Sequence, residues 1–357
     1  MPSGIANTDL LDLTNTTLQN LPNLEFEVAL DFQEYPVCNL WFRTDKRMVE
    51  SGTSIERNII LDTSGNARFV RLYQKTPINV ADVQKKVTAP WVQVQTHWSI
   101  ERREALRNRA PSRYIKLINS RRVDATVDLA DLLETKCWSE PTSASDDLNP
   151  RGLPYWLTLR ENASTGAGFD AYRVRYTGAT TSTTKGGIDG STTANTKWRN
   201  YAFTYTGINA DFVKNMRKAF HATRFMSPTL ARDLDKGASA NFRIYMALNE
   251  LTEYEDLATK ANDNLGKDLD PFHGITTFRR VPIIYTPQLD GKSFAPVYAV
   301  NHRKFFPMVL EGDWMRESEA MLDVEQHNVQ TVFVDASFQL FCTNVREGGF
   351  VGHTVTS

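Results

Sequence analysis

The sequence has few cysteines and no excess of charge of either sign. Among 357 residues there are three cysteines, Cys38, Cys137 and Cys342, and they form no CxxC pair. Because their number is odd and their spacing wide, we expect reduced thiols, with neither a disulfide framework nor a zinc cluster. The net charge is −1, from 41 basic and 42 acidic side chains. Proteins whose function is to bind DNA usually carry an excess of basic side chains. We therefore do not expect this protein to recognise a DNA sequence.

Long hydrophobic runs are also missing. No stretch approaches the roughly 20 apolar residues that a membrane-spanning helix requires, so no membrane association is expected. The stretch 1–13 has neither a basic start nor a sustained apolar segment, so a secretory signal is not expected. Hydrophobic residues make up 41% of the chain, which is typical of globular proteins, and its length favours two or three lobes.

Motifs for catalysis, cofactor binding and metal binding are not found. The six histidines form no HExxH or HxxxH pair, and the sequence contains no GxSxG elbow. The GGIDG stretch at 186–190 does not match a phosphate-binding loop. Asp233 and Asp235 precede Gly237 as in a calcium loop, but the later ligands are missing. We therefore expect no catalytic residues, no cofactor and no metal site.

Residues 1–35 are rich in Thr, Asn and Leu, with spaced leucines at positions 10, 11, 13, 18 and 21. Two interpretations are open. The segment is either an unstructured terminus or an arm that orders only against a neighbouring subunit.

The stretch 50–98 has the composition of strands but little apolar material. Residues 54–61 alternate, 62–67 contain turn-forming Asp, Ser, Gly and Asn, and 68–74 fit a returning strand. Residues 75–90 are mostly polar and supply no covering helix. Since a two-stranded hairpin is only marginally stable alone, we expect it to need a partner.

The middle of the chain predicts helices. Ser99 fits as the cap of a helix that begins at Ile100, and Pro111 fits as the first residue of a second helix. Apolar residues then recur at helical spacing up to about Trp138, which predicts a helix roughly 40 Å long. The stretch 164–196 is dominated by Thr, Gly, Ser and Ala and predicts an exposed insertion.

From Asn209 onward the pattern is mixed α/β. A helix is predicted at 210–221 and a strand at 241–248, with Asn249 as the cap of a second helix. Further strands are predicted within 274–286, 294–300 and 329–342, and a turn at 346–349. No single one of these elements identifies a fold.

The order of these elements resembles the HK97-like major capsid proteins of tailed bacteriophages, over about 24–349. The stretches 244–266 and 274–291 are similar to strand, cap, helix and loop steps of that family. The C-terminal segment 327–351 resembles the family's ending most strongly. Its matching residues are Asp335, Gln339, Leu340, Cys342, Asn344, Arg346, Gly348 and Gly349.

The resemblance implies an α+β fold with an N-terminal arm, an extended β-hairpin loop, a long spine helix, and peripheral and axial lobes. The implied divisions are the arm and lead-in strand 1–49, the extended loop 50–98, the peripheral domain 99–160 with 301–348, the insertion 161–199, the axial domain 200–300 and the C-terminal tail 349–357.

The implied function is that of a non-enzymatic coat protein that assembles into pentamers and hexamers around phage double-stranded DNA, in a virion built in the host cytoplasm. Implied partners are copies of itself, a separate scaffold protein, a portal and decoration proteins, and no crosslinking is expected. The alternatives are an encapsulin-like compartment and an enzyme with an unrecognised site. Expected inter-subunit contacts are Arg57, Arg68, Phe69, Arg71, Leu72, Tyr73 and Lys75.

Overall fold

The computed structural model describes residues 36–61, 65–75, 84–107, 111–160, 166–224, 241–260, 276–322, 326 and 328–355. The predicted arm at 1–35 and the Asp233–Gly237 stretch lie outside these residues. The chain folds as two compact units. The first comprises Met1–Ser51, Trp91–Lys136 and Pro307–Gln339, and the second Gly52–Pro90, Cys137–Phe306 and Leu340–Ser357.

The described chain contains both helices and strands. The helices are α1 Arg102–Arg107, α2 Pro111–Cys137, α3 Leu153–Trp156, α4 Ala210–Ala222, α5 Leu248–Lys260 and α6 Val345–Gly348. A π-helix covers Val37–Asp45, and 3-10 helices cover Thr193–Trp198 and Pro287–Leu289.

The strands are β1 Arg47–Val49, β2 Ser54–Ile60, β3 Gln84–Pro90, β4 Val92–Glu101, β5 Ala167–Ala171, β6 Val174–Arg175, β7 Thr181–Ser182, β8 Thr184–Lys185, β9 Ile188–Asp189, β10 Asn200–Tyr205, β11 Phe242–Met246, β12 Thr277–Phe278, β13 Val281–Tyr285, β14 Val297–Asn301, β15 Phe305–Leu310, β16 Arg316–Glu317, β17 Met321–Leu322, β18 Val329–Cys342 and β19 Gly349–Thr354.

The first unit is built on a six-stranded sheet in which β18 is the hub. The order is β1-β15-β18-β16, and β4 and β17 also pair with β18. Strands β4 and β18 run antiparallel from the pair Glu101↔Val329 to the pair Val92↔Phe338. The alternating pattern predicted a strand at 329–342, and this prediction is confirmed with the same bounds.

Helix α2, which the sequence predicted, packs against this sheet. It begins at Pro111, whose missing N–H costs nothing in the first helical turn. Its 27 residues span about 40 Å. Tyr114, Ile118 and Ala125 recur at helical spacing and pack with Trp98 of β4 in a buried cluster. The apolar stripe therefore fixes which side of the helix faces the sheet.

The sequence predicted a helix beginning at Ile100, and this prediction is wrong. Ser99 and Ile100 instead continue β4, where they pair with Thr331 and Gln330 of β18. Ile100 is buried in the cluster that contains Trp98. The strand ladder and this burial override the local capping signal, and α1 begins only at Arg102.

Glu134, in the last turns of α2, holds the start of the π-helix. Its Oε2 accepts hydrogen bonds from the backbone N–H groups of Val37 (2.9 Å) and Cys38 (3.3 Å). These first N–H groups of a helix have no partner within the helix itself. A buried carboxylate at that position satisfies them and complements the helix dipole. Residue 37 is thereby fixed to the spine helix.

The second unit contains a seven-stranded sheet of mixed direction, in the order β12-β13-β11-β14-β19-β10-β5. Helix α4 covers part of it. The side chains predicted for the buried face of this helix, which include Phe212, Met216 and Phe220, are buried in one cluster with Phe203 and Phe350 of the sheet. The predicted helix at 210–221 and its apolar face are both confirmed.

Asn249 does not cap the next helix. Helix α5 begins at Leu248, so Asn249 lies in its first turn. The cap comes from a distant residue, because the Leu248 N–H donates to Oδ1 of Asp290 at 2.9 Å. The local sequence predicted Asn249 as the capping acceptor, whereas the tertiary structure supplies Asp290.

The segment 349–357, expected as a tail, includes a central strand of the sheet. Strand β19 lies between β10, with which it is parallel, and β14, with which it is antiparallel. The expected turn at 346–349 is helix α6 followed by Gly349. A Cβ on Gly349 would lie 2.0 Å from the Ala299 carbonyl oxygen, so only glycine permits this approach.

A buried ion pair in the first unit provides a test of its packing. Arg122 of α2 makes two hydrogen bonds of 2.6 Å to the carboxylate of Glu317, and both side chains are largely buried. We expect Glu317→Ala to lower the free energy of unfolding by about 3 kcal/mol, because a buried charge loses its counter-ion. Urea unfolding measures this loss.

The neighbouring pair Arg121–Glu104 is the matched control, since its side chains are more exposed (41% and 34%). Glu104→Ala should cost less than about 1 kcal/mol. An equal decrease in the free energy of unfolding for the two variants would contradict the larger contribution expected of the buried Arg122–Glu317 pair.

Candidate interaction loop and its anchor

The extended loop is a two-stranded hairpin, but its second strand is not the predicted one. Strand β2 pairs antiparallel with β3, from Ser54↔Pro90 to Ile60↔Gln84. The expected returning strand at 68–74 is wrong, because those residues form no strand. Val87 and Ala89 of β3 are buried, whereas all described residues from Gly65 to Lys75 are exposed. Both 68–74 and 84–90 look polar in the sequence, and the segment that buries side chains, 84–90, is the one that pairs with β2.

The predicted contact residues fall into two places. Arg57 is exposed in the middle of β2, opposite Val87. The other six, Arg68, Phe69, Arg71, Leu72, Tyr73 and Lys75, lie together in the exposed segment 65–75, here called the tip. Phe69 and Tyr73 are almost wholly exposed, and Leu72 is 85% exposed. Three large apolar side chains so close together in solvent are typical of an interaction surface.

The base of the loop is held through Thr88 of β3. Its N–H donates to the Gly186 carbonyl at 2.9 Å, and its carbonyl accepts from Nη1 of Arg151 at 2.6 Å. Both bonds lie within the second unit. Because they join β3 to segments about 60 and 100 residues later, they orient the hairpin by tertiary contacts.

Gly186 fits this site because it has no side chain. Its φ of +56° lies in the left-handed region that glycine favours. A Cβ there would lie 2.6 Å from Cγ1 of Val87 and 3.2 Å from the Trp156 ring. The Gly186 N–H also donates to the hydroxyl of Tyr155 at 2.9 Å. The turn after β8 is therefore pressed directly onto β3.

Lys185 precedes this turn and is fully buried. Its Nζ donates to the Asn200 Oδ1 at 2.8 Å, the Thr158 Oγ1 at 2.9 Å and the Trp156 carbonyl at 3.2 Å. Its own carbonyl accepts from Nε1 of Trp198 at 3.1 Å. All three acceptors of Nζ are uncharged, and within the described residues no carboxylate contacts it.

The surroundings shift the protonation of Lys185. Burial lowers its pKa to about 7, because a charged ammonium is poorly solvated there. Burial also raises the pKa of the nearby Cys342 thiol to about 12. Near neutral pH Lys185 is thus partly protonated and the thiol is uncharged, so no thiolate compensates the ammonium.

The insertion expected to be exposed is therefore partly a core segment. Lys185, Ile188 and Trp198 are buried, and the short strands β8 and β9 carry the turn that holds the loop. Its Thr- and Gly-rich composition concealed this role. The large apolar side chains of Ile188 and Trp198 are the two features of the sequence from which burial of this segment could be predicted. Nothing in the sequence links Lys185 to Asn200.

The described residues contain no group of three or more His, Cys, Asp or Glu side chains that could hold a metal ion. Among the same residues, no helix is long and apolar enough to cross a membrane. The three cysteines are buried free thiols.

Substitution of Gly186 tests the close contact between the turn and the loop. We expect Gly186→Ala to lower the free energy of unfolding by about 2–4 kcal/mol, from backbone strain together with the clash on Val87. Gly65→Ala is the matched control, because Gly65 also has a positive φ (+66°) but nothing within 4 Å. Thermal unfolding should show a clearly smaller loss for the control.

Buried Lys185 predicts a pH-dependent stability. Between pH 10.5 and about 7 the unfolded chain binds a proton at this lysine while the folded chain does not. Stability should therefore fall as pH falls through this window, by roughly 1.4 kcal/mol per pH unit, and level off below it. Denaturant titrations of wild type and Lys185→Met, compared at each pH, isolate this slope.

Exposed Lys197 supplies the control for that measurement. Lys197→Met should shift stability by a constant amount across the same pH range. A wild-type minus Lys185→Met difference that does not change with pH would contradict the lowered pKa.

Comparison with known proteins places this geometry in a known architecture. No family model matches the sequence, and no curated protein matches it. Solved structures do match. A chain of the Cyanophage A-1(L) capsid asymmetric unit aligns with a TM-score of 0.60 and 12% identity, covering 91% of this chain and 93% of that one.

A chain from the capsid of a native GTA particle aligns with a TM-score of 0.51 and 8% identity, covering 87% of this chain and 86% of that one. At such identities the likeness concerns the fold, and it extends over most of both chains. The predicted α+β architecture is confirmed, and the chain has the HK97-like capsid fold.

Proposed function

We propose that this chain is the major capsid protein of a tailed bacteriophage. Its copies assemble into pentamers and hexamers that form an icosahedral head around double-stranded DNA. The observation that carries this proposal is the agreement of its fold with a Cyanophage A-1(L) capsid chain over about nine-tenths of both chains. The proposed role is structural, in keeping with the capsid fold.

The loop supplies the physical means of assembly. Its tip presents Phe69, Leu72 and Tyr73 to solvent, where they gain nothing in an isolated chain. Covering each of them with a neighbouring subunit would contribute about 1.5–3 kcal/mol. Aromatic and large apolar side chains of this kind commonly supply most of the binding energy at an interface.

Four cations accompany those apolar residues: Arg57, Arg68, Arg71 and Lys75. All are exposed. Charges at the rim of an interface mainly select the register between partners and speed their association. In this proposal they face acidic groups of the next subunit, and they contribute little energy individually.

The lobes take the roles of a shell subunit. The extended loop takes the expected range 50–98 only as far as residue 90, because residues 92–98 belong to β4 in the sheet of the first unit. The peripheral domain combines 99–160 with 301–348, and the axial domain is 200–300, beside the insertion 161–199. Helix α2 supports the peripheral assignment by its length, and the seven-stranded sheet with α4 supports the axial one. Repeated heterologous contacts, in which one surface of each subunit meets a different surface of the next, then close each ring around a symmetry axis.

The remaining partners follow from this role. The head encloses DNA without reading its sequence, in keeping with a net charge of −1. A separate scaffold protein, a portal and decoration proteins complete the assembly, which takes place in the host cytoplasm.

The tip tests the proposal most directly. We expect the triple variant Phe69→Ser, Leu72→Ser and Tyr73→Ser to fold like wild type, because these side chains contact solvent. Its yield of particles should fall at least tenfold when the chain is expressed with the neighbouring phage genes. Electron microscopy and sedimentation measure particle yield, and circular dichroism measures folding.

Leu148→Ser is the matched control, since Leu148 is also strongly exposed (81%) but lies outside the loop. It should assemble normally. Full particle yield from the triple variant would contradict the role of the tip. Wild-type particles that enclose protein cargo in place of DNA would indicate an encapsulin-like compartment.

A further inference from the structure

A basic patch lies on the second unit, where it covers α4 and the β12–β13 hairpin. Residues 210–224 and 276–281 together contain six basic side chains and one acidic one, Asp211. The six cations are all exposed, and they are Lys214, Arg217, Lys218, Arg224, Arg279 and Arg280. This local concentration of positive charge contrasts with the net charge of −1 for the whole chain.

The helix places its cations on one side. Positions 214, 217, 218 and 221 recur at spacings of three and four residues, so their side chains share one face of α4. This face is opposite to the one that buries Phe212 and Met216 in the core. The basic side of α4 is therefore its solvent side along most of its length.

The hairpin adjoins this face. Nη1 of Arg279 lies 3.5 Å from Nε2 of His221, and the Arg279 guanidinium lies over the Phe220 ring, 5.9 Å from its centroid. The Phe220 ring packs in turn against the Phe278 ring of β12, with centroids 5.2 Å apart. Helix and hairpin thus form one continuous surface, and the hairpin arginines extend the basic side of α4.

Carboxylates do not neutralise the patch. Among the residues that the structure describes, none of its six cations forms an ion pair. Acidic helix α5 lies beside the hairpin, since the Tyr254 hydroxyl donates to the Thr277 carbonyl at 3.3 Å. Its Glu255 carboxylate instead accepts from the Thr276 hydroxyl at 2.6 Å. The patch therefore keeps a positive potential that attracts anions.

Three of the arginines occupy backbone positions where glycine or asparagine is the usual residue. Arg279 and Arg280 are the two loop residues of the hairpin, with φ of +50° and +65°. Arg224 follows the cap of α4 and has φ of +54°. A left-handed backbone is unfavourable for residues that carry a Cβ, so the fold gains nothing from arginine there. Strain of this kind is typical of a functional surface.

We propose that this basic patch binds the phosphate backbone of double-stranded DNA without recognising its sequence. Guanidinium groups match phosphate oxygens with two parallel hydrogen bonds, and lysines act as point charges. From Lys214 to His221 the helix rises about 10 Å, which is the length of about three phosphates along one strand. The inference rests on the proposed capsid function and names a surface that contacts the packaged DNA.

A DNA duplex fits the patch better than an acidic protein surface does. The large apolar side chains that are exposed in the described chain all lie outside 210–224 and 276–281. Interfaces between proteins usually have apolar or aromatic anchors at their centre. Interfaces with DNA are instead polar and strongly positive. The chemistry of this surface is that of the second class.

Binding of a short fluorescent duplex to the purified full-length chain tests the proposal. We expect equal affinity for two unrelated sequences. The triple variant Lys214→Gln, Arg217→Gln and Lys218→Gln should bind at least about tenfold more weakly, because three phosphate contacts are lost. The slope of log affinity against log salt concentration should also become flatter by about three. Fluorescence anisotropy at several salt concentrations measures both quantities.

The matched control removes the same charge elsewhere. Lys116→Gln, Lys197→Gln and Lys292→Gln change three exposed lysines that lie outside the patch. The affinity of this variant for the duplex should stay within about twofold of wild type. An equal loss of affinity for the two triple variants would overturn the proposal, because binding would then depend on net charge alone.

The hairpin loop separates DNA binding from folding. Asn-Gly is the pair that a two-residue loop with positive φ favours, so Arg279→Asn with Arg280→Gly should unfold at a higher temperature than wild type. The same variant should bind the duplex about tenfold more weakly, with a salt slope flatter by about two. A double variant that gains thermal stability and keeps full affinity would overturn the proposal.

Particle formation distinguishes this inference from the capsid function. Normal particles from a wild-type chain that does not bind the duplex would overturn the patch and leave the capsid function standing. Duplex binding that depends on the patch, in a chain that never forms particles, would support the patch and count against the capsid function. A Lys214, Arg217 and Lys218 variant that keeps its DNA affinity but loses its particles would identify an acidic protein surface as the occupant, and would overturn the proposal.

Discussion

A two-stranded hairpin has no inner face of its own, and the second unit is arranged around that constraint. Strands β2 and β3 would be marginally stable alone in water. The chain therefore presses the turn at Gly186 onto β3 and holds Thr88 from both sides. The base of the loop is fixed by these contacts, whereas the tip at 65–75 stays exposed. A rigid base and a bare apolar tip are the properties that a contact between subunits needs.

Buried Lys185 shows how this anchor is made at a cost in stability. Three neutral oxygens surround its ammonium, and burial lowers its pKa to about 7. A hydrophobic side chain would avoid the desolvation cost but would leave the oxygens of Thr158 and Asn200 without this donor. The lysine thus fixes the position of one short turn, and through it the base of the loop.

The exposed tip of the loop carries both charge and apolar surface. It combines three apolar side chains with three basic ones. The first 35 residues are acidic and carry no base. Opposite charges placed on separate parts of one chain favour contacts between copies, and they specify which surfaces meet.

The sequence by itself determined the elements whose signals are local. Helix α2, the buried face of α4 and the long strand β18 follow from apolar periodicity, which depends only on neighbouring residues. The fold class followed from the order of these elements. Only the tertiary structure decided that β2 pairs with 84–90, that Ile100 extends a strand, that Asp290 caps α5 and that 349–354 is a central strand. It also brought Lys185 to Thr158 and Asn200. Each of these depends on a partner distant in sequence or on burial, and no local pattern encodes either one.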